Sequence, residues 1–198
     1  MIDAWFHNPI YNCKLDFPHN DYLVQKVLSI KRSSPEVNTA WRCDTYNTLH
    51  AYNAFADKDE IVHQLIGTCA AHVLEFAKTF GAKQHRAVCK EFWFNISEPG
   101  SYQEFHQHAN SHFSLAYYLS TPHNSGNIVF KSFEAMSDMY PLPINDNELE
   151  PASFKTCFYP PAESRLLIFR SNLQHMVEKN LSNDNRISVT MNFDIERT

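Results

Sequence analysis

At 198 residues, 43% of them hydrophobic, the chain can bury a sizeable core and has the length of one domain. A net charge of −5 and a pI near 6.1 argue against an electrostatic grip on nucleic acid. The cysteines (Cys13, Cys43, Cys69, Cys89 and Cys157) are odd in number, scattered and without a CxxC pair, which speaks against a disulfide framework or a zinc knuckle. No apolar run has the length of a membrane span, and Met1-Ile-Asp-Ala-Trp-Phe6 lacks a basic stretch followed by an apolar one. These features lead us to expect reduced thiols and a cytoplasmic location.

Taken in chain order, residues 9–16 read as a short strand. Asn20 is placed to cap a helix over about 21–32, with Tyr22, Val24, Val27, Leu28 and Ile30 as its apolar stripe. A second helix is expected over about 57–80. There Ile61, Leu65, Cys69, His72, Val73, Phe76 and Phe80 recur at helical spacing, and Gly81 follows as a stop. Beyond it the pattern changes to short strand-like runs at 86–97, 102–108, 113–120, 126–132, 154–159, 164–170, 174–179 and 186–195. Pro99-Gly100, Pro122 to Gly126, Pro141 to Pro143 and Pro160-Pro161 punctuate them as turns. The proline- and acid-rich stretch 134–153 reads as an exposed loop near a barrel mouth. Without repeats or a Gly/Ser linker, the expectation is a single domain over 1–198. It would be mainly β: a jelly roll, or double-stranded β-helix, over about 86–196, buttressed by N-terminal helices over about 17–81.

The chemistry concentrates in the second half. His106 and His108 are two apart, and on a strand such residues share a face, so they can hold one metal ion together. A third ligand from a distant strand, His175, would complete a facial triad and leave coordination positions open. On the last strand Arg186, Ser188, Thr190, Asn192 and Asp194 alternate with Ile187, Val189, Met191, Phe193 and Ile195. That alternation is either an ordinary solvent-facing pattern or a polar wall inside a barrel. In the second case Arg186 offers a charged fork to a carboxylate beside the metal, as in an oxygenase with a dicarboxylate co-substrate. His112 lies about 13 Å along the chain beyond His108 at ~3.3 Å per residue, a neighbour and not a ligand. His72 sits on a helical apolar stripe and reads as a satisfied core histidine, while His7, His19, His50, His63, His85 and His123 fall near turns or on exposed faces.

From Trp93 onward the chain resembles the iron(II)/2-oxoglutarate-dependent oxygenases, especially small members from bacterial and phage genomes, and then the prolyl hydroxylases. The resemblance rests on Trp93-Phe-Asn-Ile96, Pro99-Gly-Ser-Tyr102, His106-Gln-His-Ala-Asn-Ser111, Ser114-Leu-Ala-Tyr-Tyr-Leu119 and Ser125-Gly-Asn-Ile-Val-Phe130. It continues through Ser164-Arg-Leu-Leu-Ile-Phe169, His175-Met-Val177 and Arg186-Ile-Ser-Val-Thr-Met-Asn192. It implies iron(II) held by His106, His108 and His175, with His108 standing where most relatives carry aspartate or glutamate. It also implies 2-oxoglutarate bound by Arg186, Ser188 and Tyr118, with Tyr102 as a further donor. The implied reaction consumes dioxygen, gives succinate and CO2, and hydroxylates a substrate C–H bond. A prolyl residue in a peptide or protein is the leading substrate and small molecules are the other class; no nucleic acid or membrane partner is implied. Trp93, Phe105, Phe113 and Phe133 are candidates for a groove wall, or else for the core.

Two other readings stand beside this one. Gly100 followed by His106-Gln-His108 fits the opening of a cupin motif, a metal-dependent dioxygenase or isomerase without 2-oxoglutarate, although the cupin glutamate is absent and Arg186 would have no use. Three histidines also suit zinc. The second alternative is a non-enzymatic jelly roll with histidines lining a binding groove.

Overall fold

The computed structural model describes residues 8–35, 45–133 and 154–198. In chain order these residues form β1 (Tyr11–Lys14), α1 (Asn20–Ser33), β2 (Tyr46–Asn47), α2 (Glu60–Lys78), β3 (His85–Ser97), β4 (Gln103–His106) and β5 (Phe113–Ser120). β6 (Ile128–Lys131), β7 (Thr156–Tyr159), β8 (Arg165–Arg170), β9 (Gln174–Val177) and β10 (Arg186–Arg197) follow. The strands build two antiparallel sheets, β1-β8-β5-β10-β3-β2 and β4-β9-β6-β7, the jelly-roll arrangement that the sequence predicts. The expected loop at 134–153 lies outside the described residues.

One face of the larger sheet carries Phe92, Phe94, Ile96, Leu115, Tyr117, Leu166, Ile168, Val189 and Met191, which pack with Leu23 and Val27 of α1 and with Val62, Leu65, Cys69 and Val73 of α2. The other face meets the smaller sheet through Tyr118, Leu167 and Phe169 against Ile128 and Phe130. Strand alternation therefore sends odd and even residues into different compartments: hydrocarbon under the helices, a mixed interior between the sheets.

Several local expectations change. Asn20 does not cap α1; the N-cap position is His19, which makes no side-chain cap bond. Asn20 instead accepts from the Tyr117 hydroxyl at 2.7 Å and donates to Ser164 Oγ at 3.1 Å, tying the helix to the sheet. Tyr22 is exposed, because its hydroxyl reaches out to Asp59. α2 starts at Glu60 because Asp59 caps it, accepting from the backbone N–H of Ile61 and Val62. It ends at Lys78, short of Phe80, which is exposed and leans on Phe76 and Phe113. Gly81 adopts φ +94°, the left-handed conformation that stops the chain from continuing as helix. His72 is a satisfied histidine, bonded to the Tyr11 hydroxyl at 2.9 Å.

Candidate metal and co-substrate site

Between the sheets lies a cavity whose lining includes His106, His108 and His175 together with Tyr118, Arg186 and Ser188. The polar face of β10 thus forms an interior wall, while Ile187, Val189, Met191 and Phe193 are buried under the helices. Cross-strand register assembles that wall. Arg186 lies opposite Ser97, Ser188 opposite Asn95 on one side and Tyr118 on the other, and Thr190 opposite Trp93.

The three histidines converge by a route the strand rule did not foresee. β4 ends at His106, whose Cα partner across the sheet is His175. His108 lies past the strand end and is placed by its backbone N–H, which donates to Ser171 at 2.8 Å. One ring nitrogen from each of the three falls within 4.8 Å of the others. Ring centroids are 4.2 Å apart for His106 and His175, 5.2 Å for His108 and His175, and 5.3 Å for His106 and His108. Nδ1 of His106 meets the Glu104 carbonyl at 2.8 Å and Nδ1 of His175 the Leu173 carbonyl at 2.9 Å. A carbonyl accepts only, so each Nδ1 carries the proton and each Nε2 keeps a lone pair for a metal. Burial lowers the pKa of all three; the nearby His106 lowers His108 further, to about 4. Neutral imidazoles are the form that binds a divalent transition metal, and three of them lie close together, so the donor set fits iron(II).

Arg186 is 4% exposed. Its Nη1 donates to the carbonyls of Ser125 and Gly126 at 2.5 and 3.0 Å, and Nη2 to Ser97 Oγ at 2.9 Å. No carboxylate pairs with it among the described residues, so a buried positive charge lines the same cavity as the three histidines. Burial lowers the Arg186 pKa and raises that of Tyr118, and each opposes the shift of the other. Tyr118 therefore stays a protonated donor at neutral pH. The lining offers groups that would suit a dicarboxylate: a forked cation and hydroxyls for a carboxylate, and three histidines that would hold a metal.

Of the residues singled out from sequence, His106, His108, His175, Tyr118, Arg186 and Ser188 line the cavity. Tyr102 does not; β4 begins only at Gln103, and Tyr102 is 40% exposed and outside the lining. Of the four aromatic candidates for a groove wall, Trp93 lines the cavity and stacks on His108 at 5.7 Å, and Phe113 is core. Phe105 and Phe133 are exposed and outside the lining. His112 lies apart from the triad, against Asp194 at 3.1 Å. Sequence reasoning missed Ser97, Asn95 and the Ser125–Gly126 carbonyls that seat Arg186; only the register of β3 with β10 discloses the first two.

A search of the curated proteins finds no match. Among solved structures, the chain is similar to a Pseudomonas putida prolyl-4-hydroxylase, with TM-score 0.62 and 15% identity over 96% of this chain and 94% of that one. It is similar to SnoK, a non-heme alpha ketoglutarate dependent carbocyclase from nogalamycin biosynthesis, with TM-score 0.64 and 10% identity over 96% and 80%. A third likeness is to a Trichoplax adhaerens prolyl hydroxylase in complex with a hypoxia inducible factor peptide fragment, with TM-score 0.55 and 15% identity over 93% and 83%. At such identities the likeness is one of fold. Residues 91–192 match the sequence model described as "Putative 2OG-Fe(II) oxygenase", and this span holds His106, His108, His175 and Arg186. It covers more than half of the 198 residues, and the chain belongs to the 2OG-Fe(II) oxygenases, enzymes that use iron(II) and 2-oxoglutarate.

Proposed function

We propose that the protein hydroxylates a prolyl residue in a peptide or protein, with His106, His108 and His175 as the iron ligands and Arg186, Ser188 and Tyr118 as the seat of the 2-oxoglutarate carboxylate remote from the metal. Bound iron(II) supplies dioxygen activation coupled to oxidative decarboxylation of 2-oxoglutarate to succinate and CO2. The protein's residues do the positioning. His106 and His175 present Nε2 lone pairs because carbonyls hold their Nδ1 protons. Arg186 orients one end of the co-substrate, Tyr118 and Ser188 donate beside it, and Phe130 and Phe169 around His175 keep water from that side of the cavity.

The observation that carries this reading is the buried guanidinium that, among the described residues, has no carboxylate partner and shares a cavity with the three converged histidines. A cupin or a passive groove has no need of such a cation, whose burial is costly without an anionic ligand. The prolyl substrate is supported by two fold neighbours that are prolyl hydroxylases, one of them in complex with a peptide fragment. Anaerobic addition of iron(II) and 2-oxoglutarate tests the co-substrate reading: a weak visible charge-transfer band should need both. Succinate release over a panel of proline-containing peptides and small metabolites tests the substrate. The expected result is release stimulated by a peptide, with one oxygen atom added to its proline; stimulation by metabolites alone would overturn the prolyl assignment.

A further inference from the structure

Two of the three histidines are preset for metal binding by carbonyls at Nδ1; the third meets a donor there. His108 Nδ1 lies 3.2 Å from Asn192 Nδ2, and the same amide nitrogen lies 2.5 Å from a carboxylate oxygen of Glu91. Asn192 is 1% exposed, and its Oδ1 takes a hydrogen bond from Ser114 at 2.7 Å. An amide can be turned end for end at almost no steric cost, so its partners must decide its orientation. The serine side accepts either orientation. The Ser114 hydroxyl can donate to an oxygen or accept from a nitrogen, and Ser171, 2.9 Å from it, takes up the difference. The Glu91 side does not, because a carboxylate only accepts and a reversed amide would press oxygen against oxygen at 2.5 Å.

Glu91 therefore fixes the Asn192 amide with its nitrogen outward, and the second amide proton points at His108 Nδ1. A neutral imidazole that accepts at Nδ1 carries its proton on Nε2. Both nitrogens of His108 are then occupied, one by the Asn192 donor and one by its own proton. A donor aimed at position 108 would suit a carboxylate there, which needs no tautomer. We propose that Glu91, acting through Asn192, is a positioning residue that holds His108 in the Nε2–H tautomer, so that the metal is first gripped by His106 and His175 and His108 joins only when the Asn192 amide turns over. The inference rests on the iron-ligand reading given above. Turnover requires the exposed Glu91 side chain to swing into solvent, after which the proton moves from Nε2 to Nδ1 with no net change in protonation.

The test uses the full-length protein, labelled with 15N in histidine and free of metal, and long-range 1H–15N spectra that distinguish the tautomers. The expected wild-type result is Nδ1–H at His106 and His175 and Nε2–H at His108. Glu91→Gln puts an amide donor where the carboxylate was, so Asn192 can reverse. His108 should move toward Nδ1–H, and cobalt(II), the probe metal, should bind about tenfold or more tightly, the scale of outer-shell effects on metal affinity. A merely structural role for Glu91 would move stability and neither of these readouts. Nδ1–H at His108 in the wild type overturns the proposal, as do an unchanged tautomer and unchanged cobalt affinity in Glu91→Gln. Failure of cobalt to bind either form would instead sink the ligand assignment, while the wild-type spectrum still decides the tautomer.

Discussion

Arg186 has five N–H donors, and three go to the Ser125 and Gly126 carbonyls and to Ser97. Among the described residues the other two have no partner, which matches one carboxylate gripped side-on. Arg186→Lys loses that fork and strands two carbonyls, so 2-oxoglutarate should bind at least about tenfold more weakly, on the scale of ~1.4 kcal/mol. Iron affinity should hardly change. Calorimetric titration of the iron-loaded variant checks this; unaltered affinity with a lower melting temperature would make Arg186 structural. His106→Ala and His175→Ala should each abolish metal retention, read as iron content after desalting, because too few ligands remain. Tyr118→Phe would remove the hydrogen bond proposed to the 2-oxoglutarate carboxylate, worth on the order of 1.5–3 kcal/mol at most. It should raise the 2-oxoglutarate requirement modestly and leave iron binding intact; an unchanged requirement would assign Tyr118 to packing alone.

At the scale of elements, the loop before β6 and the start of α2 are the sensitive points. Gly126 sits at φ +85°, and a Cβ there would come 2.3 Å from the Glu178 carbonyl oxygen. Gly100 has a similar φ of +89°, but a Cβ there would meet only the flexible end of Lys179 at 3.7 Å. Gly100→Ala should therefore cost only backbone strain, about 1–3 kcal/mol, while Gly126→Ala also drives residue 126, whose carbonyl seats Arg186, and the Glu178–Lys179 backbone apart. Lower stability together with weaker 2-oxoglutarate binding is expected for Gly126→Ala alone. At α2, burial pushes the Asp59 carboxyl up, yet Lys26, the Tyr22 hydroxyl and the Val62 N–H outweigh it and hold its pKa at about 2. A depressed carboxylate contributes stability above its unfolded pKa and loses it as pH falls through the folded value. That contribution should fade between about pH 4 and pH 2. Asp59→Ala should remove the cap and one Lys26 ion pair, costing about 2 kcal/mol at pH 7, with the gap to wild type closing below pH 3 in thermal melts.

For the whole molecule, local pattern and tertiary pairing settled different things. Strict alternation in β10 and the helical spacing of Leu65, Cys69, Val73 and Phe76 were enough to read a sheet, a buttressing helix and their buried faces, because side-chain periodicity is a property of the local backbone. The family blocks around His106, His175 and Arg186 were legible too, since they are short runs of adjacent residues. The caps were less so: Asn20 looked like a helix cap until the structure placed it against Tyr117 and Ser164, a partnership that no local rule contains. Which face of β10 lines the cavity, which residues of β3 stand beside Arg186, and how His108 reaches the triad from beyond the end of β4 were decided by register and by one backbone bond to Ser171. Those contacts join residues far apart in the chain, and their geometry follows from which strands pair, a choice made by the packing of the entire core. The sequence alone determined the set of chemical groups and the elements that carry them; the tertiary structure decided that His175 and the Asn192 amide meet His106 and His108, because those neighbours are brought in from elsewhere in the fold, whereas the carbonyls at Nδ1 of His106 and His175 lie only two residues away.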